Sequence, residues 1–266
     1  MPSPQVGRVV SDFLLFFFVI VGILYRDAII NHMNKELSNI IEIYSTKTHG
    51  QFTQRLTNSS KESVIAVLTD LLTMYINDKN SSSLREFITV TLAGYEHSEK
   101  KIGFNGFKQS SIIGGKPIAC EAKPKNIGSE DVESYKRGLR KSKPQVLNGG
   151  GNFTDYTNAR FKKDRLANPN VLTSGFVDGK LLFIIEFPFN TKGFLNKLKL
   201  QLKKHFPRGD RPNNFLRSAN FTYKDYLTSR KIGLIFSASN EELTDHSGYF
   251  DKKFLQKLFN LKNEKK

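Results

Sequence analysis

Between Ser63 and Tyr75 the apolar residues Val64, Val67, Leu68, Leu71, Leu72 and Tyr75 recur at helical spacing, which predicts an amphipathic helix. Asn58-Ser59-Ser60, with Glu62 close behind, supplies its start signal. The helical pattern runs from about Asn34 to Gly94, with a turn over Asn77 to Ser83 and a further helix from Leu84 to Leu92. The pattern then shortens to strands. Gln109 to Ile113 and Lys116 to Lys123 flank Gly114-Gly115, and a glycine pair reaches the positive φ values that a tight hairpin turn needs. A second hairpin is expected from Val171 to Glu186, with Asp178-Gly179 at its tip. Leu181 to Ile185 is apolar throughout, as a strand in the middle of a sheet should be. Phe194 to Phe206 reads as an amphipathic helix with a lysine-rich face, Ile232 to Phe236 as a strand and Phe250 to Leu261 as a closing helix. This order predicts an α/β (α+β mixed) fold, a central mixed β-sheet flanked by helices. Two Asn-Phe-Thr triplets, at Asn152 and Asn220, are too short to count as an internal repeat.

The N-terminus breaks the pattern. Phe13 to Leu24 is solidly apolar, yet shorter than the roughly 20 residues a membrane-spanning helix wants. It lacks the basic start and small-residue cleavage site of a signal peptide. A weak membrane anchor, a buried helix, or translated sequence upstream of the true start all suit it. Met33-Asn-Lys-Glu-Leu opens a sensible helix, which favours the last. The organisation expected is therefore an apolar extension over 1–32 and one domain over 33–266. Its helical part spans 33–100 and its mixed-sheet core 101–266.

Charge changes the picture more than composition does. The net charge is +16 and the pI about 9.8, which calls for a polyanionic partner or a strongly solvated surface. Nucleic acid comes first, because neutralising phosphates releases counterions; an anionic membrane surface is a weaker candidate. The single cysteine, Cys120, excludes an internal disulfide, and the scattered histidines give no zinc-type spacing. Cys120 is expected to be a small inward-facing residue.

The candidate chemistry lies in Glu121-Ala122-Lys123. Strand alternation puts Glu121 and Lys123 on one face and Ala122 on the other. A carboxylate there can hold Mg²⁺ through oxygen, and a neighbouring lysine can orient an attacking water or stabilise a pentavalent phosphate. The same triplet also suits an edge strand with solvated charges. Ile118-Ala-Cys-Glu-Ala-Lys-Pro-Lys-Asn126, behind its glycine turn, resembles the nuclease core of type II restriction endonucleases of the PD-(D/E)xK class. Leu147 to Thr157 and Val171 to Phe189 are also similar to restriction-enzyme sequence, and the resemblance covers roughly Met33 to the C-terminus.

The resemblance implies a restriction-endonuclease-like core, Mg²⁺-dependent and sequence-specific cleavage of double-stranded DNA, a homodimer and a cytoplasmic location. It also implies a DNA methyltransferase of the same specificity as functional partner. Glu121 would ligate the metal and Lys123 would assist the attacking water. Two other roles compete: a repair or structure-specific DNA nuclease, and a membrane-attached basic DNA-binding protein without catalysis.

The class normally carries an aspartate on the preceding strand. Here no acid lies between Lys100 and Cys120, and the window holds Asn105, Lys108 and Gln109. The second metal ligand is therefore sought among Glu62, Glu96, Asp155 and Gln109, with Glu99 and Glu186 as further acids. For DNA contact the candidates are Lys136, Arg137, Arg140 and Lys141 in the densest basic run, with Arg160 and Lys163 after it. Asn152, beside the Gly149-Gly150-Gly151 loop, and Arg217, in a Pro- and Asn-rich stretch with Arg208 and Arg211, complete the set. The glycine loop suits either backbone contact with a phosphate or base edge, or a plain flexible connection.

Overall fold

The computed structural model describes residues 54, 56–77, 82–98, 103–110, 113–227 and 231–264. The apolar run at 13–24 and the helix start at Met33 lie outside them. Seven helices and eight strands are seen among the described residues. α1 (Lys61–Asn77) and α2 (Ser82–Leu92) come first, then β1 (Glu96–His97), β2 (Gly106–Lys108), β3 (Ile118–Ile127) and α3 (Ser129–Lys136). β4 (Gly151–Tyr156), α4 (Asn158–Ala167), β5 (Asn170–Val177), β6 (Lys180–Pro188) and α5 (Lys192–His205) follow. β7 (Leu216–Phe221), β8 (Gly233–Ser237), α6 (Asn240–Asp245) and α7 (Lys252–Asn263) close the chain.

The main sheet has the order β1-β2-β3-β5-β6-β8. It is mixed: β3 runs parallel to β5, and all other neighbours are antiparallel. β4 and β7 form a separate two-stranded antiparallel ribbon. The expected mixed sheet with flanking helices is what the chain builds. The β5–β6 hairpin turns at Asp178 and Gly179, both at positive φ (48° and 81°), as a two-residue primed turn requires. Leu181 to Ile185 are buried in mid-sheet, between β5 and β8.

The first hairpin differs from the expectation. Among the described residues its strands pair only at Gly106–Lys108 with Ile118–Cys120, and no strand is seen between Lys108 and Ile118. Pro117 lacks the amide a ladder needs, so pairing starts just after it. β3 in turn runs four residues beyond Lys123, to Ile127, by pairing with β5. Pro124 fits there because β2 has already ended, leaving one side of β3 without a strand among the described residues.

The two faces of the sheet bury different partners. On one, α1 and α2 bring Val67, Phe87, Ile88 and Val90 against Phe176, Ile184, Cys120, Ala122 and Leu172. On the other, α5, α7 and the ribbon cover β5 and β6 with an aromatic-rich core, in which Phe187 stacks on Tyr226 at 4.0 Å between centroids. Phe194 on α5 meets Phe221 of the ribbon edge-on at 4.9 Å. The phenylalanines thus supply much of the core bulk in a chain without tryptophan. Among the described residues no helix is long and apolar enough to cross a membrane.

Candidate active site

β3 carries Glu121 and Lys123 on the face that meets the aromatic core and the ribbon. Cys120 and Ala122 face α2 instead. β3 lies between β2 and β5 in the sheet, and although β2 ends opposite Cys120, Glu121 is only 5% exposed, so the reading as a solvated charge does not hold. A buried charge needs partners. Lys123 Nζ donates to Glu121 Oε1 at 2.8 Å, and Arg160 Nη2 donates to the same oxygen at 3.2 Å. Lys123 Nζ also lies 4.7 Å from the centre of the Phe153 ring, whose face attracts a cation.

Arg160 comes from α4, a helix whose few apolar residues hid it from hydrophobic periodicity. Thr157 caps its start by accepting from Arg160 N, and Asn168, at φ 47°, ends it. Asp210 adds a carboxylate at the N-terminus, accepting from the amides of Asn158 (3.0 Å) and Ala159 (2.9 Å). One helical turn after Arg160 stands Asp164, which is 6% exposed. Arg160 Nε lies 3.8 Å from Asp164 Oδ2, and the Tyr156 hydroxyl donates to that oxygen at 2.9 Å. Arg160 therefore bridges two buried carboxylates. Burial pushes the Asp164 carboxyl above the usual range, against the lowering effect of Tyr156 and Arg160. Burial and Asp164 likewise raise the Tyr156 phenol, which remains a donor at neutral pH.

Asp164 is a buried acid, joined to Glu121 through Arg160, that sequence reasoning did not single out. Among the described contacts of Glu121, none involves Glu62, Glu96, Asp155 or Gln109. Glu62 is exposed in the first turn of α1, Glu96 is exposed on β1, and Gln109 is exposed just past β2. Asp155, at φ 50°, accepts from Arg217 Nη1 at 3.2 Å. Glu99 lies outside the described residues. Glu186 faces the opposite side of the sheet, where Tyr95, Lys108 (3.2 Å) and Asn170 (2.8 Å) all contact its Oε1. Asn105, in the window where the sequence resemblance would lead one to expect an aspartate, is engaged elsewhere. Its Oδ1 accepts from Ala122 N at 2.8 Å and its Nδ2 donates to Glu86 at 2.9 Å. Cys120 is fully buried and its thiol is pushed up by burial, so it is inert packing.

The donor set is hard oxygen, from two carboxylates. Magnesium takes such sets, because it keeps several waters and needs only one or two protein carboxylates. No group of three or more His, Cys, Asp or Glu side chains that could hold a metal occurs among the described residues. Glu121 and Asp164 offer two carboxylates, the oxygen type that magnesium takes, with Arg160 between them.

The glycine loop is closely packed, with Gly149 and Gly150 buried. A Cβ on Gly150 would lie 2.1 Å from the Phe221 carbonyl oxygen, and one on Gly151 would lie 2.7 Å from Lys123 Cβ. The Tyr226 hydroxyl donates to Gly149 O at 2.5 Å. These glycines let the ribbon start directly against Lys123. Beside them a polar groove of about 560 Å³ runs between the end of β3 and the ribbon, lined by Lys125, Asn126, Gln145, Asn148, Asn152 and Asn220 among others.

Compared with protein-family models and with curated proteins, the chain matches none.

The basic candidates fall in three places. Lys136 ends α3, and Arg137 and Lys141 are exposed in the turns after it. Two charges of this run are already engaged, Lys136 with Glu133 at 2.9 Å and Arg140 with Asp131. Lys163 is exposed on α4, the helix that holds Arg160. Arg217 and Asn152 are exposed on the ribbon.

Proposed function

We propose that this chain is a type II restriction endonuclease of the PD-(D/E)xK kind, cutting double-stranded DNA at specific sites with Mg²⁺. The observation that carries the reading is Glu121, nine-tenths buried on an interior strand with Lys123 on the same face and Asp164 joined through Arg160. The +16 charge and the polar groove beside the pair supply a place for a polyanion. The β2–β3 hairpin followed by the parallel β5 suits the restriction-endonuclease-like core that the sequence resemblance implies.

Glu121 and Asp164 would hold the magnesium ion. When bound, it supplies positive charge to the scissile phosphate and makes its bound water more acidic. Lys123 would orient the attacking water: its oxygen forms a new P–O bond and gives up a proton to solvent as the bridging P–O bond breaks, and the leaving oxygen takes a proton from solvent. Arg160, with 37% of its side chain exposed, can leave Glu121 for a phosphate oxygen. A homodimer would cut both strands, and a methyltransferase of the same specificity would protect the host's own DNA in the cytoplasm.

The test is plasmid cleavage with Mg²⁺ by wild type, Glu121→Ala, Lys123→Ala and Asp164→Asn. Wild type is expected to give discrete fragments, and each variant to lose activity by ~10²-fold or more. Variants that cut as well as wild type overturn the assignment. Cutting that follows junctions or flaps, without discrete fragments, points to a structure-specific nuclease. A second reading, DNA binding without cleavage, draws on Arg160 already occupying Glu121. It predicts that wild type shifts DNA in a gel and leaves it intact.

A further inference from the structure

We infer that the β4–β7 ribbon is the element that reads base edges, inserted into the major groove of double-stranded DNA. The inference rests on the nuclease reading for its partner and adds where specificity resides.

The ribbon has two faces of opposite character. Phe153, Tyr156, Ala219 and Phe221 point into the core and are at most 2% exposed. The other face is polar at successive paired positions: Asn152 stands opposite Asn220, and Thr154 opposite Ser218. The two Asn-Phe-Thr triplets of the sequence thus meet across the ribbon, each phenylalanine anchored below and each asparagine exposed above.

These side chains are held in order while keeping hydrogen-bonding capacity. Asn152 Nδ2 donates to Ser218 Oγ at 3.1 Å, and Ser218 Oγ donates to Asn220 Oδ1 at 3.0 Å. Gln201 of α5 clamps the backbone of Asn220 through two bonds, at 2.8 and 3.0 Å. A carboxamide NH₂ has two donors and its oxygen two lone pairs, so each asparagine retains groups for a ligand. A two-stranded ribbon fits the width of the major groove, and a carboxamide matches the N6/N7 edge of adenine. Arg217, whose side chain is 82% exposed, flanks the face and suits a phosphate. Gly151, next to Asn152, packs on Lys123, so the reading face adjoins the proposed cutting residues.

The experiment is selection from a randomised duplex library in EDTA, by wild type, Asn152→Ala, Asn220→Ala, Asn152→Ser and Arg217→Ala. Thermal melting of each variant checks folding. Wild type is expected to enrich a defined sequence containing adenine. The asparagine variants should lose preference at one or more of its positions, by about 5- to 150-fold per bidentate contact. Arg217→Ala should weaken binding evenly across sequences. The inference is overturned if wild type enriches no sequence, or if the folded asparagine variants enrich the wild-type sequence unchanged. Offering the enriched duplex to wild type with Mg²⁺ separates the two readings. An enriched but uncut duplex sinks the nuclease and leaves the reading face standing. Cleavage with unchanged preference in the variants does the reverse.

Discussion

Glu121→Gln keeps the shape of the side chain and removes its charge. The carboxylate is 5% exposed and takes Lys123 at 2.8 Å and Arg160 at 3.2 Å. A hydrogen bond to a charged group contributes about 1.5–3 kcal/mol, and the substitution weakens two of them. Arg160, with 37% of its side chain exposed, regains water and contributes at the low end. Lys123 has 17% of its side chain exposed and retains its cation–π contact with Phe153, while glutamine still accepts one bond. The expected loss is about 2–3 kcal/mol, or roughly 5–10 °C in melting temperature for a domain of this size. Urea denaturation of wild type, Glu121→Gln, Lys123→Met and the double variant measures it. The double-mutant cycle should return a coupling of about 1–2 kcal/mol. A single variant within ~0.5 kcal/mol of wild type, or a coupling of zero, would show that the buried pair does not exist in solution, and the geometry argued above would fall with it.

Asp164→Asn should raise the melting temperature at pH 7 while abolishing cleavage. A carboxyl whose folded pKa is raised stabilises the fold fully below its unfolded value of about 3.9, and that contribution is lost as pH rises through the folded value. The advantage of Asp164→Asn should therefore shrink towards pH 4, and a gap independent of pH would refute the argument. Gly150→Ala should cost more than ~3 kcal/mol or prevent folding, because its Cβ would sit 2.1 Å from a backbone oxygen of the paired strand; a normal urea midpoint would contradict that packing. Arg137→Ala and Lys141→Ala should each lower the slope of log affinity against log salt by about 1 if both meet phosphates. Fluorescence anisotropy over a salt series reads this, and unchanged slopes would remove the run after α3 from the interface.

The sheet was legible in the sequence wherever burial wrote a continuous apolar run or a turn demanded glycine. Leu181 to Ile185 and the Asp178-Gly179 turn are the clearest cases. Glu121 and Lys123 were legible because a strand's alternation is rigid. α4 was not, because its one fully buried residue is the polar Asp164. Its signals were local ones: Thr157 as cap, Asn168-Pro169 as stop, and ten residues between them that place Arg160 and Asp164 one turn apart. β4 and β7 were hidden for a related reason. Glycines at the start of one and a Pro- and Asn-rich approach to the other read as loops, while the ribbon is held by the long-range packing of Phe153 and Phe221. The repeated Asn-Phe-Thr was the signal, since it sets two exposed amides over two buried rings.

β3 outruns β2, and this has a bearing on how two copies meet. From Ala122 onward one margin of the strand has no β-neighbour among the described residues, which is where a second chain would ordinarily join by extending the sheet. The first amide on that margin, Ala122 N, is already taken by Asn105. The next belongs to Pro124 and does not exist. A visiting strand finds no run of donors to pair with. Extension of the sheet by a second copy is thereby disfavoured beside the proposed cutting residues and left to other edges, such as β8.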